Sequence, residues 1–160
     1  MPKRLLILAL LAAGCASTGS TATPAARKTT GGALDLAING DGYFIVETTA
    51  GGFLFTRDGQ LMVSASAELA NVDGYRLYPP IAIPPGGGTI SVTADGVVRR
   101  VIPDGPTEIV GQIILSRFKE NARLEHDGPY FMPTDASGDP ITGKPGTKGL
   151  GTLLIGQLEQ

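Results

Sequence analysis

Asp-Gly dipeptides begin at Asp41, Asp58, Asp73, Asp95, Asp104 and Asp127, and an Asn-Gly begins at Asn39, cutting the chain beyond residue 33 into short pieces. These dipeptides accept the positive φ that tight hairpin turns demand. Between them lie short apolar or alternating runs: Leu34, Leu36 and Ile38 on one face, Tyr43 to Val46, Phe53 and Phe55, Ile81 and Ile83, Ile90 and Val92, and Val97 with Val98. Short strands divided by regular turn signals predict an all-β fold, an antiparallel β-sandwich or barrel-like domain. No heptad and no amphipathic helix is expected after residue 33.

Three segments need separate treatment. Glu108 to Lys119, EIVGQIILSRFK, places Val110, Ile114 and Phe118 at helical spacing, but its β-branched residues and Gly111 favour one long strand. Pro79, Pro80, Pro84 and Pro85 bracket Ile81-Ala82-Ile83, which is therefore an edge strand or an extended connection, because proline donates nothing to a ladder. Asp135 to Gly151, rich in Gly and Pro, is expected to be a long surface loop.

At the N-terminus, Lys3 and Arg4 precede an apolar run from Leu5 to Ala13, followed by the small residues Ala13 and Gly14 and then Cys15, the single cysteine. This run is too short for a hydrocarbon core of about 30 Å and reads as an export signal. Leu11-Ala12-Ala13-Gly14-Cys15 resembles a bacterial lipobox, with Ala12 where that motif prefers leucine. The resemblance implies lipidation at Cys15, and a lone thiol in an exported chain has no disulfide partner of its own. Several acyl chains at about 0.8 kcal/mol per buried CH₂ would hold such a protein on a membrane. Ala16 and Ser17, with no aspartate after the cysteine, imply by resemblance to sorted lipoproteins the periplasmic side of the outer membrane.

The expected organisation is thus residues 1–14 as signal peptide, 15–33 as lipidated cysteine and tether, and 34–160 as one β domain. Residues 16–33 are poor in large apolar side chains, and such a stretch reads as a flexible tether with an r.m.s. reach of about 25 Å. The whole chain carries 13 Lys plus Arg against 15 Asp plus Glu, and loss of the signal removes two of the cations. That balance argues against a nucleic-acid partner or an anionic lipid surface, both of which reward a basic face.

Residues 34–59, LDLAINGDGYFIVETTAGGFLFTRDG, resemble the opening of the core β domain of flagellar hook and rod proteins. Leu34, Asp35, Ala37, Ile38, Gly40, Gly42, Phe44 and Val46 fill its first part, and Phe55, Thr56, Arg57, Asp58 and Gly59 its second. The likeness continues through Asp73-Gly74-Tyr75, Ile81 and Pro84, through Ile90 to Val98, through Gly111 to Phe118, and through Gly151 to Glu159. In that family long helices precede and follow the domain. The resemblance therefore implies a hook- and rod-like domain whose terminal helices are replaced by the anchor before residue 34 and absent after Gln160, with self-polymerisation not expected.

Enzymatic constellations are weak. Residues 138–144, GDPITGK, approach a phosphate loop, but Pro145 stands where a hydroxyl is required. Asn39-Gly40-Asp41-Gly42 approaches a calcium loop, with Ala37 and Thr48 at positions that need acids. His126 is the only histidine and lies in a hydrophilic turn without a Gly-x-Ser-x-Gly elbow. No catalytic residue, metal or cofactor is expected.

The expected role is structural: a lipoprotein of the flagellar basal body, with rod, hook or ring proteins as partners and a ring-like multimer formed by docking on a symmetric assembly. Asp35, Gly40, Gly42, Phe44, Arg57, Asp58 and Gly59 are the signature positions from which a subunit contact would be drawn. For Arg57-Asp58-Gly59 the competing account is a turn, with the arginine paired to an acid. The alternative function is an exported lipoprotein that binds a cell-envelope ligand unrelated to motility.

Overall fold

The computed structural model describes residues 26–160; the expected signal peptide and Cys15 lie outside the described residues. Sixteen short strands follow one another: β1 (Arg27–Thr29), β2 (Asp35–Asn39), β3 (Tyr43–Glu47), β4 (Phe53–Thr56), β5 (Gly59–Val63), β6 (Leu69–Asn71), β7 (Arg76–Leu77), β8 (Thr89–Val92), β9 (Val97–Val101), β10 (Thr107–Gln112), β11 (Leu115–Arg117), β12 (Glu125–Asp127), β13 (Tyr130–Met132), β14 (Ile141–Gly143), β15 (Thr152–Ile155) and β16 (Gln157–Glu159). The only helical turn among the described residues is a 3₁₀ turn at Asn121–Arg123. The expected all-β antiparallel fold is the fold found. No helix among the described residues is long and apolar enough to cross a membrane.

Eleven strands form one sheet, ordered β12-β13-β4-β3-β7-β6-β5-β2-β15 with β11 joined to β3 and β14. A three-stranded sheet, β10-β9-β8, and the pair β1-β16 complete the fold. β3 shows why the chain folds this way. Tyr43, Phe44, Ile45 and Val46 are all buried, so this strand lies between two cores. Phe44 and Val46 enter a core with Leu36, Ile38, Leu69, Leu77 and Leu153. Tyr43 and Ile45 enter another with Phe55, Phe118 and Leu124. Each fully buried large apolar side chain contributes about 1.5–3 kcal/mol.

Most Asp-Gly turns are as expected, with Gly42, Gly74, Gly96 and Gly128 at positive φ. At Asp104-Gly105 the aspartate itself takes the left-handed conformation, φ 58°. Gly59 corrects the turn account: it opens β5 as part of a strand, and its reason is close approach. A Cβ there would lie 1.8 Å from the Leu36 carbonyl oxygen and 3.0 Å from Phe44 Cε2.

Two further expectations change. The single long strand over 108–119 is two strands in different sheets, β10 against β9 and β11 against β3 and β14. A bulge between Ile109 and Gly111 and the Ile113 amide donating to Gly96 O at 2.7 Å turn the chain from one sheet to the next. β-Branched residues favour strand throughout this run, but propensity does not say where a strand changes partner. Within the expected loop 135–151, β14 pairs with β11, and the Ser116 and Thr142 hydroxyls hydrogen-bond at 2.8 Å. Ile81 to Ile83 is an extended edge as expected: Leu69 N donates to Ile81 O and Ile83 N to Ala67 O.

β1 lies inside the segment expected to be tether. Arg27, Lys28 and Thr29 pair with Glu159, Leu158 and Gln157, so ordered backbone begins before Leu34.

Candidate functional site

The signature residues gather around one guanidinium. Arg57, in the short link between β4 and β5, donates from Nε to Glu159 Oε2 at 2.7 Å and from Nη2 to Glu159 Oε1. Nη1 donates to the carbonyls of Gly40 at 3.1 Å and Gly42 at 2.7 Å, and Nη2 to that of Ile38 at 3.1 Å. One planar fork of five N–H groups thus ties the β2–β3 turn, the β4–β5 link and the last strand; a lysine ammonium has neither the donors nor the shape. Gly40 and Gly42 stand at φ 128° and 132°, where a side chain would strain the backbone that presents these carbonyls. The Glu159 side chain is only 10% exposed and that of Arg57 27%, so the pair is partly shielded from solvent.

The other signature residues serve the same frame. Asp58 Oδ1 accepts from the Gln60 amide at 3.0 Å, and Thr56 Oγ1 accepts from the Asp58 amide at 3.1 Å, which fixes the link beside Arg57. Asp35 Oδ2 accepts from Thr30 Oγ1 at 2.5 Å, and its carbonyl accepts from the Gly156 amide at 2.7 Å. Phe44 is fully buried beneath Gly59. Gly40, Gly42 and Arg57 are therefore in direct contact, with Asp58 and Gly59 adjoining, Asp35 at the β1–β2 connection and Phe44 in the core. Sequence reasoning missed Glu159: its pairing spans 102 residues of chain, and its neighbourhood carries no local signal for it.

The remaining polar candidates do not converge on this cluster. His126, expected in a turn, lies on the exposed strand β12 and packs edge-to-face on Phe131, ring centroids 4.4 Å apart. Among the described residues no group of His, Cys, Asp and Glu is arranged to hold a metal ion. A shallow apolar groove of about 140 Å³ runs past Phe53, Tyr78 and Pro140, with the first two rings 4.7 Å apart and 46% and 41% exposed. A polar concavity of about 350 Å³ lies elsewhere, where Arg76 bridges Glu47 at 2.9 Å and Glu68 at 3.9 Å beside Ser64 and Ser66.

Two phenols are shifted upward by burial. Tyr130 donates to Asp73 and accepts from Asn71 Nδ2 at 2.7 Å; burial and then the bond to Asp73 raise its pKa, while the Asn71 bond lowers it. Burial likewise raises Tyr43, partly offset by Arg57. An unfolded tyrosine ionises near pH 10, whereas these two hold their protons higher. Above that pH the unfolded chain binds fewer protons than the native one, so stability falls as pH rises. The expected result is a drop in the urea midpoint between about pH 9 and about pH 11, shallower in Tyr130→Phe; an equal drop in both proteins would remove Tyr130 from the account.

Residues 37–100 match the family model described as the flagellar hook protein FlgE/F/G D1 domain. The chain is 37% identical over 128 residues to the flagellar basal-body rod protein FlgG of Buchnera aphidicola subsp. Acyrthosiphon pisum, covering 78% of this chain and 49% of that protein. Over 140 residues it is 34% identical to FlgG of Bacillus subtilis, covering 84% and 53%. Over 85 residues it is 40% identical to the flagellar basal-body rod protein FlgF of Rhizobium meliloti, covering 51% and 34%. The chain spans about half the length of the FlgG relatives it matches.

Proposed function

Since the β domain of this chain belongs to the flagellar hook and basal-body rod protein family, we propose that the protein is a structural, non-enzymatic component of the bacterial flagellar basal body, held on the periplasmic side of the outer membrane by a lipid on Cys15. The likeness to basal-body rod proteins supports the basal-body part, and the bonds of the signature residue Arg57 to Glu159 and three carbonyls, which hold the fold together, support the non-enzymatic part. A rigid β domain of this kind has surfaces to offer, and rod, hook or ring proteins are its partners. Docking of several copies around a symmetric axis would give a ring-like arrangement. The anchor rests on the sequence alone, on Lys3 and Arg4, the apolar run to Ala13 and the small residues before Cys15.

Basal bodies purified from cells that produce a tagged form are expected to carry the chain, and its deletion to impair motility. Absence from basal bodies together with normal swimming would sink the flagellar role and favour the envelope-ligand alternative. For the anchor, Cys15→Ser is expected to abolish fatty-acid labelling and to move nearly all of the protein from the membrane to the soluble fraction. Unchanged fractionation would refute lipidation and leave the flagellar role standing.

A further inference from the structure

β1 is an edge strand. Its partner is β16 alone, and its residues offer little apolar surface, with Lys28 and Thr29 exposed and Arg27 half-buried. What closes it is hydrogen bonding. Gln160 N donates to Ala26 O at 2.8 Å, and Thr30 N and Gly31 N donate to Gly156 O at 2.8 and 3.1 Å. Arg27 Nη2 reaches Asn39 Oδ1 at 3.2 Å and lies 3.5 Å from the Ile38 carbonyl, which also accepts from Arg57. Glu159, the register partner of Arg27, turns its carboxylate to Arg57. With one partner and little buried apolar surface of its own, β1 is an edge that opens at low cost.

The direction of the strands decides what that opening does. Followed from Thr29 back to Arg27, β1 passes toward the Gln160 end of β16, while β16 is rooted at Gly156, beside Thr30. Tension on the chain before Ala26 therefore loads every pair of the ladder at once, in shear. We infer that β1 is a strap: paired with β16 and locked by the Arg57–Glu159 bridge it holds the preceding chain against the domain, and when released it adds residues 27–33 to that chain. At full extension the released segment is about 24 Å long, and the gain in reach is that length less the distance residues 27–33 already span when paired. The use of that reach by an anchored protein rests on the proposed lipid at Cys15, whereas the strap itself does not.

Hydrogen exchange on the full chain tests it. In Glu159→Gln the amides of Thr30, Gly31 and Gln160 are expected to exchange at least tenfold faster, and in both proteins to exchange faster than that of Leu153, bonded to Ala94 O at 2.9 Å in the core. Trypsin is expected to cut after Arg27 and Lys28 correspondingly faster in the variant. Unchanged exchange and cleavage would overturn the inference, as would exchange at Thr30 as slow as at Leu153, which would mean that β1 opens only with the whole sheet. Failure of these tests with Cys15-dependent membrane binding intact removes the strap alone. Release of Cys15→Ser from membranes bears on the anchor and not on the strap.

Discussion

Gly59→Ala is expected to cost about 4 kcal/mol or more and to lower the thermal midpoint by about 15 °C or more, an exceptional penalty for one methyl group. In an ordinary strand the same change is mildly favourable, because glycine in the unfolded chain has more freedom to lose. Here the sign inverts, since the new Cβ would fall 1.8 Å from the Leu36 carbonyl oxygen and 2.7 Å from its carbon. Leu36 pairs with Gly59 in the β2–β5 ladder, so the clash cannot be relieved by a rotamer and must push two backbones apart. Behind them Phe44 leaves no space to retreat. Thermal unfolding followed by circular dichroism reads the effect, and a loss under about 1 kcal/mol would show that the β2–β5 contact spreads freely. Gly51→Ala is the control: nothing lies within 4 Å of its Cβ position, leaving only the strain of φ 86°.

Arg57→Met is expected to cost about 2–3 kcal/mol, because it leaves the Glu159 carboxylate without its partner and withdraws the donor from the carbonyls of residues 38, 40 and 42. Partial exposure of the arginine keeps the figure below that of a fully buried pair, since water reaches some of the orphaned groups. Arg57→Lys should restore the charge and little of the stability, because an ammonium cannot span a carboxylate and three carbonyls. The double variant Arg57→Met with Glu159→Gln should lose less than the two single losses added, which is the mark of a direct pair. Urea unfolding of the four proteins measures this coupling, and strict additivity would mean that Arg57 and Glu159 act independently.

These positions also show how far the sequence could be read. Asp-Gly turns are local, and at Gly42, Gly74, Gly96 and Gly128 the dipeptide stated its own conformation. At Gly59 the same dipeptide misled, because the need for glycine there comes from a strand more than twenty residues earlier in the chain. The run 108–119 declared itself extended, but not that its halves serve different sheets. β14 was hidden in a Gly- and Pro-rich stretch, since three residues beside Pro140 carry too little pattern to announce a strand. For Arg57 the sequence offered a turn with an acid partner or a surface contact, and the structure places the guanidinium on Glu159 within the chain.

What the sequence determined by itself was the all-β class, the places where most of the chain turns, and the resemblance to the hook and rod domain. Each of these depends on neighbours a few residues apart, through φ preferences and side-chain alternation, and is written locally. Only the tertiary structure decided that β3 divides two cores, that Gly59 must be bare, that Arg57 is spent on Glu159, and that β1 closes on β16. Those outcomes depend on which distant strands come to lie side by side, and antiparallel ladders of similar short strands become distinguishable only when packing selects one set of partners.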